Sequence, residues 1–201
     1  MQYRKLLLAT TNKGKAQEYK ALLSGIPYEI VTMPEQGLYL DVEETGATFE
    51  ENASLKAATL AAESGLLSLA DDSGIEVDAL DGKPGVRSSR YAGEGATDED
   101  RYRLLLEQLQ GVPDGRRAAR FRCVIAIAAP GGRVELYSGE CPGVITAEPR
   151  GSHGFGYDPV FYVPELGKTM AELSSEEKNR ISHRSRAAEK AREALLKQPF
   201  H

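Results

Sequence analysis

The chain has 201 residues, 41% hydrophobic and 27% charged, which suits one globular domain with a sizeable core. Its net charge of −5 and isoelectric point near 5.4 exclude a broadly basic surface, and with it bulk binding to nucleic acid or to an anionic membrane. Cys123 and Cys141 lack metal-ligand spacing and predict free thiols in a reducing cytoplasm, while MQYRKLLLAT is too short an apolar run for a signal peptide and no stretch reaches membrane-spanning length.

In chain order, KLLLAT (5–10) reads as a buried strand feeding a polar turn, TNKGK, and a helix over 15–24. YEIVTM (28–33) reads as the next strand and 34–46 as a loop. Thr48 and Glu51 form a capping box for a long helix through Ser64 that Gly65 closes. LLSLA (66–70) predicts a buried strand ending at the acidic pair Asp71–Asp72, and 81–95 predicts loop. Thr97 caps a helix whose Tyr102, Leu105, Leu106 and Leu109 fall on one face.

The second half changes period. In ARFRCVIAI, Phe121, Cys123, Ile125 and Ile127 alternate with polar neighbours at the start, as a half-buried strand requires. Gly131–Gly132 predicts the turn of a hairpin that RVELYSGEC completes. Ser174 and Glu177 make another capping box, and Ala-rich RAAEKAREALLK closes the chain as helix. The expected fold is α/β: a mixed, twisted sheet flanked by helices, with a hairpin-rich second lobe and a cleft between the lobes, all within one domain over 1–201.

Candidate chemistry gathers where strands end. Thr10, Thr11, Asn12, Lys13, Gly14 and Lys15 follow the first strand, where a helix N-terminus offers N–H groups to an anion, Asn12 can add a side-chain donor and the lysines add charge. The loop lacks the leading glycine and Lys-Ser/Thr pair of a Walker loop. In ADDSG (70–74) two adjacent carboxylates repel unless a cation or donor sits between them. Strand alternation predicts one Asp facing a ligand and the other binding backbone; an Asx-turn is the plainer alternative. Glu43 and Glu44 form a second acidic pair, and carboxylates from separate loops suit Mg²⁺. Lys178, Arg180, His183, Arg184 and Arg186 concentrate positive charge in an acidic protein. In HGFGYDPVFYVP (153–164), Gly154 and Gly156 bracket Phe155, as in a tight turn or a loop that approaches a ligand closely.

Taken together, Thr10-x-Asn12-x-x-Lys15, Glu43-Glu44-Thr45-Gly46 with Phe49 through Lys56, Asp71-Asp72-Ser73-Gly74, and Gly154-Phe155-Gly156-Tyr157-Asp158-Pro159 followed by Lys178 and Ser182-His183-Arg184 resemble the inosine triphosphate pyrophosphatase family, across essentially the whole chain. The resemblance implies Mg²⁺-dependent hydrolysis of noncanonical purine nucleoside triphosphates to a monophosphate and pyrophosphate by a cytoplasmic homodimer. It implies that the Thr10–Lys15 loop and Lys56 hold the phosphates and that Asp72 is proton acceptor and metal ligand, with Glu43 as second ligand. It further implies that Ser73 touches substrate and Phe155 stacks on the purine, beside Gly156, Tyr157, Asp158 and Lys178, while His183 and Arg184 read the base edge. Two rivals stand beside this reading. One is a non-catalytic purine-nucleotide sensor, against which both acidic pairs speak. The other is a metal-dependent nuclease, which the net acidity disfavours.

Overall fold

A computed structural model describes residues 4–197. The first three residues of MQYRKLLLAT and the last four of the expected 1–201 domain lie outside the described residues. Strand β1 (Arg4–Leu8) pairs in parallel with β2 (Tyr28–Thr32) on one side and with β3 (Leu67–Val77) on the other. Parallel neighbours need crossovers. Helix α1 (Lys13–Leu22) supplies the first and α2 (Phe49–Ser64) the second. Helix α3 (Asp98–Gln108) follows, then β4 (Ala118–Ala128) and β5 (Val134–Ile145). The short strands β6 (Phe161–Val163) and β7 (Lys168–Thr169) continue the sheet antiparallel, and α4 (Ser175–Ile181) and α5 (His183–Lys197) close the chain. The result is one mixed seven-stranded sheet in the order β2-β1-β3-β4-β5-β6-β7, the α/β class expected.

The chain forms two compact units. The first holds residues up to Asp72, Cys123–Gly139 and the chain from Arg184 on; the second holds Ser73–Arg122 and Glu140–His183. In the first, Leu6, Leu7 and Leu8 are all buried, as a central parallel strand covered on both faces demands. Leu67 and Leu69 of β3 join a core with Tyr19 and Leu23 of α1 and with Ala187, Ala188 and Ala191 of α5. Small residues let that last helix lie close. In the second, Leu105 and Leu109 of α3 pack with Ile75, Phe121, Phe161 and Met170, confirming the helix face read from the sequence.

Three local expectations change. Strand β3 does not stop at Ala70 but runs through Asp71, Asp72, Ser73 and Gly74 to Val77, which removes the Asx-turn reading of ADDSG; neighbouring strands supply the backbone pairing that weak β-formers lack. Helix α1 begins two residues early because Asn12 caps it. The 81–95 stretch is not plain loop but carries a 3₁₀ segment at Gly85–Arg90. Cys123 and Cys141 are free and buried, as expected.

Gly143 in β5 has no room for a side chain: an added Cβ would lie 2.5 Å from Phe161 ring carbons and 2.6 Å from the Tyr162 carbonyl oxygen. Gly143→Ala is expected to lower the unfolding free energy by about 1–3 kcal/mol through overpacking. A urea midpoint equal to the parent's would mean that the Phe161 ring and the Tyr162 carbonyl both give way without cost.

Candidate active site

The chain leaves β1 into Thr10, Thr11 and Asn12 and enters α1 at Lys13. The Asn12 side-chain oxygen accepts from Lys15 N at 3.1 Å and so caps the helix. The Asn12 oxygen is used here because an uncapped first turn would leave orphan N–H groups; the donor expected of Asn12 is its Nδ2 amide, which this bond does not use. Asn12 N in turn donates to Thr10 Oγ1 at 3.2 Å. Thr10 to Lys13 line a cavity of about 410 Å³ together with Met33, Leu38 and Tyr39.

The acidic pair lies inside β3, Asp71 being 3% and Asp72 5% exposed. Alternation along the strand separates their surroundings. Asp71 shares the side of Leu67 and Leu69, and its partners come from the same two helices that cover those leucines. Lys15 of α1 donates to Asp71 Oδ2 at 2.8 Å, and Arg184 Nε of α5 lies 4.0 Å from the same oxygen. Side chains of α1 and α5 thus hold Asp71. Asp72 is served by α2, where Asn52 Nδ2 donates to Asp72 Oδ2 at 3.0 Å and Lys56 Nζ stands 4.0 Å from Oδ1. Lys56 also donates to Glu44 at 2.6 Å. The Asn52 oxygen accepts from Gly46 N at 2.7 Å, so one buried amide ties the Glu43–Glu44 loop to Asp72. Glu43 itself is exposed.

These contacts split the pair electrostatically. Burial works to keep Asp71 protonated, yet Lys15, Arg184 and Lys56 together hold its carboxyl well below the usual carboxylate range. Burial pushes Asp72 up to about 6; Lys56 opposes the rise and Glu44 adds to it. Burial would also strip the proton from Lys56, but Asp71, Asp72 and Glu44 outweigh it and keep the ammonium charged. Adjacent carboxylates with separated affinities for a proton are the pattern of acid–base chemistry.

In the second unit, Gly154 and Gly156 take φ of +81° and +64° on either side of Phe155, which is 42% exposed. Asp158 is buried beneath it; Oδ2 accepts from Phe155 N at 2.9 Å and from Lys178 Nζ at 2.5 Å. Lys178 Nζ lies 4.8 Å from the Phe155 ring centroid. A Cβ on Gly154 would collide with that Asp158 oxygen, so glycine is required twice over. Tyr157 is buried and its hydroxyl donates to Ser88 O at 2.9 Å. Ser73, next to Asp72, is half-buried in β3.

The basic run 176–186 is not one solvated helix face. It breaks at Ser182, which is extended between α4 and α5. His183 is buried in the second unit and stacks on Phe121 with ring centroids 4.9 Å apart. Arg184 is 2% exposed in the first unit, and its Nη1 donates to Glu18 Oε2 at 2.7 Å. Sequence reading gave Glu18 and Asn52 no role, although the latter sat inside the quoted Phe49–Lys56 motif.

The sequence signature of the Ham1 family is matched over residues 6–194. The chain belongs to the Ham1 family. This bears out the resemblance to the inosine triphosphate pyrophosphatases that the motifs carried. The Ham1 chain is 53% identical over 193 residues to a dITP/XTP pyrophosphatase of Geobacter sulfurreducens, covering 96% of this chain and 94% of that one. It is equally 53% identical over 197 residues to a dITP/XTP pyrophosphatase of Desulforamulus reducens, covering 98% of each. A HAM1 protein from Coxiella burnetii superposes with a TM-score of 0.91 at 44% identity, over 97% of this chain and 100% of that one.

The raised Asp72 value has a consequence for stability in this Ham1 chain. Its folded value of about 6 lies above the ordinary carboxylate value of about 4. The folded state therefore holds the extra proton, and stability is lost as pH rises from about 4 through 6. Asp72→Asn is expected to stabilise the chain by about 1–3 kcal/mol near pH 7.5 and by little near pH 4. Urea unfolding in excess chelator measures this, and equal effects at the two pH values would show that Asp72 does not carry the strain of burial.

Proposed function

We propose that this chain hydrolyses noncanonical purine nucleoside triphosphates (ITP, dITP, XTP) to the nucleoside monophosphate and pyrophosphate, keeping these bases out of DNA and RNA. The observation that carries the reading is the buried acid pair, with Asp71 held ionised and Asp72 poised near 6 beside Lys56. The dITP/XTP pyrophosphatases that match over nearly their full length support it.

Water attacks the α-phosphorus, the bond from that phosphorus to the bridging oxygen breaks, and pyrophosphate leaves. The attacking water must lose a proton, and a base whose pKa lies near working pH is suited to take it. Asp72 is that base. Asp71 stays ionised and anchors Lys15 and Arg184. The start of α1, with Thr10 to Lys15 and Lys56, faces the phosphates through N–H groups and charge. Carboxylate oxygens such as those of Asp72, which burial raises and Glu44 raises further, fit a hard cation such as Mg²⁺, which takes one or two carboxylates plus phosphate and water oxygens. Asp72 and Glu43 would hold it, because Glu44 is committed to Lys56. When bound, the ion would neutralise phosphate charge.

Phe155 offers an exposed face for the purine, held by Gly156, Tyr157, Asp158 and Lys178. His183 and Arg184 address the base edge: donors there pair with a 6-oxo group and are left unmatched against a 6-amino group. The Glu18 contact fixes the plane of the Arg184 guanidinium. The resemblance carries with it a homodimeric, cytoplasmic enzyme of one domain. Among the described residues no helix is long and apolar enough to cross a membrane.

Incubation with ITP and Mg²⁺ is expected to yield IMP and pyrophosphate. Free phosphate would indicate an ordinary phosphatase, and ITP returned unchanged a sensor. Asp72→Asn is expected to lower turnover by at least ~10² while nucleotide binding stays measurable.

Base reading is tested by Arg184→Lys, which keeps a charge near Glu18 and Asp71 but loses the planar fork. The expected result is a fall in kcat/KM for ITP of about tenfold or more with the weak ATP rate little changed. An unaltered ratio of ITP to ATP would remove Arg184 from base recognition.

A further inference from the structure

We propose that Asp98, in the first turn of α3, is a positioning residue for base recognition: its carboxylate fixes the Phe155–Gly156 peptide and thereby the aromatic face presented to the purine. The proposal rests on Phe155 being that face. A loop with glycine at positive φ on both sides of its aromatic can rotate about either glycine, so one orientation needs restraints on both adjoining peptides. Two carboxylates supply them. Asp158 Oδ2 accepts from Phe155 N at 2.9 Å, and Asp98 Oδ2 accepts from Gly156 N at 2.7 Å. These N–H groups belong to the peptides before and after the Phe155 Cα, so the direction of its side chain is set from both ends.

The two restraints differ in kind. Asp158 lies three residues away in the same loop and shapes it from within, its carboxylate held in turn by Lys178 of α4. Asp98 comes from 58 positions away, on a helix whose Leu105 and Leu109 are buried in the core of the second unit. It therefore ties the loop to the core. Its own orientation is fixed in turn, because Arg101 Nη1 pairs with Asp98 Oδ1 and Arg101 Nη2 donates to Ala96 O at 2.6 Å. The Tyr157 hydroxyl on Ser88 O adds a second tie one residue further on. An acid in the first turn of a helix also stabilises the helix through its dipole, so the test must separate that role from the tether.

The test compares competitive inhibition of ITP hydrolysis by IMP, which carries a base, and by pyrophosphate, which carries none. Asp98→Ala is expected to weaken IMP inhibition and raise KM for ITP about tenfold, leaving pyrophosphate inhibition and kcat close to the parent's. Asp98→Asn keeps an acceptor oxygen while losing the charge, and is expected to restore IMP inhibition. The tether is overturned if Asp98→Ala binds IMP like the parent, if IMP and pyrophosphate inhibition fall together, or if Asp98→Asn is as impaired as Asp98→Ala. Equilibrium dialysis of IMP against the same variants reads the tether without turnover. A parent chain that fails to convert ITP to IMP and pyrophosphate sinks the functional reading instead.

Discussion

Lys15 donates to a carboxylate that is almost wholly buried, Asp71, across 2.8 Å, and the arrangement of the first unit depends on that ion pair. Two neighbouring acids in an interior strand are costly, because an ionised carboxylate without compensation loses several kcal/mol of hydration. The chain meets that cost by delivering a cation from each of three helices: Lys15 from α1, Lys56 from α2 and Arg184 from α5. Lys15 and Lys56 lie on the crossover helices between parallel strands and Arg184 on the closing helix, so the charge pattern and the winding of the sheet go together. Removing one partner of such a buried pair commonly costs about 3–5 kcal/mol, which is comparable to much of a domain's net stability.

The same winding explains why the two acids differ. Asp71 follows Leu67 and Leu69 on the side packed by α1 and α5, and Asp72 falls on the other side with α2. A one-residue alternation along β3 thus converts identical side chains into a fixed anion and a group near 6. Nothing in the pair itself distinguishes them. The neighbours do.

Much of this was legible in the sequence, and the illegible part has a common cause. Thr48–Glu51 and Ser174–Glu177 were readable as capping boxes because the signal is local, four residues long and stereochemically demanding. The strand through Asp71–Gly74 was not, since Asp, Ser and Gly all favour turns and only pairing with neighbouring strands overrides them. Glu18, Asn52 and Asp98 escaped for a related reason: each looks like an ordinary polar residue on a helix. Glu18 finds its partner 166 positions away and Asp98 finds Gly156 at a separation of 58, distances that no periodicity reports. Ser182, the break that buries His183 and Arg184, is likewise set by packing rather than by a helix breaker.

Lys15 and Lys56 are the residues proposed to meet the phosphates, yet in this structure they face Asp71 and Glu44. Both roles are compatible if the ammonium groups are shared, since each has three donors on a flexible stem. A triphosphate drawn to the start of α1 would pull Lys15 and Lys56 towards its oxygens and lessen their hold on the acids. For Asp71 the loss is buffered by Arg184, a guanidinium held charged against burial by Glu18 and Asp71. For Asp72 the opposing pull of Lys56 is the main force keeping its proton affinity down, so a lysine diverted to phosphate leaves a stronger base. Asp71 thus has Arg184 as well as Lys15 to keep it ionised, whereas Asp72, the acid proposed to accept a proton, depends chiefly on Lys56.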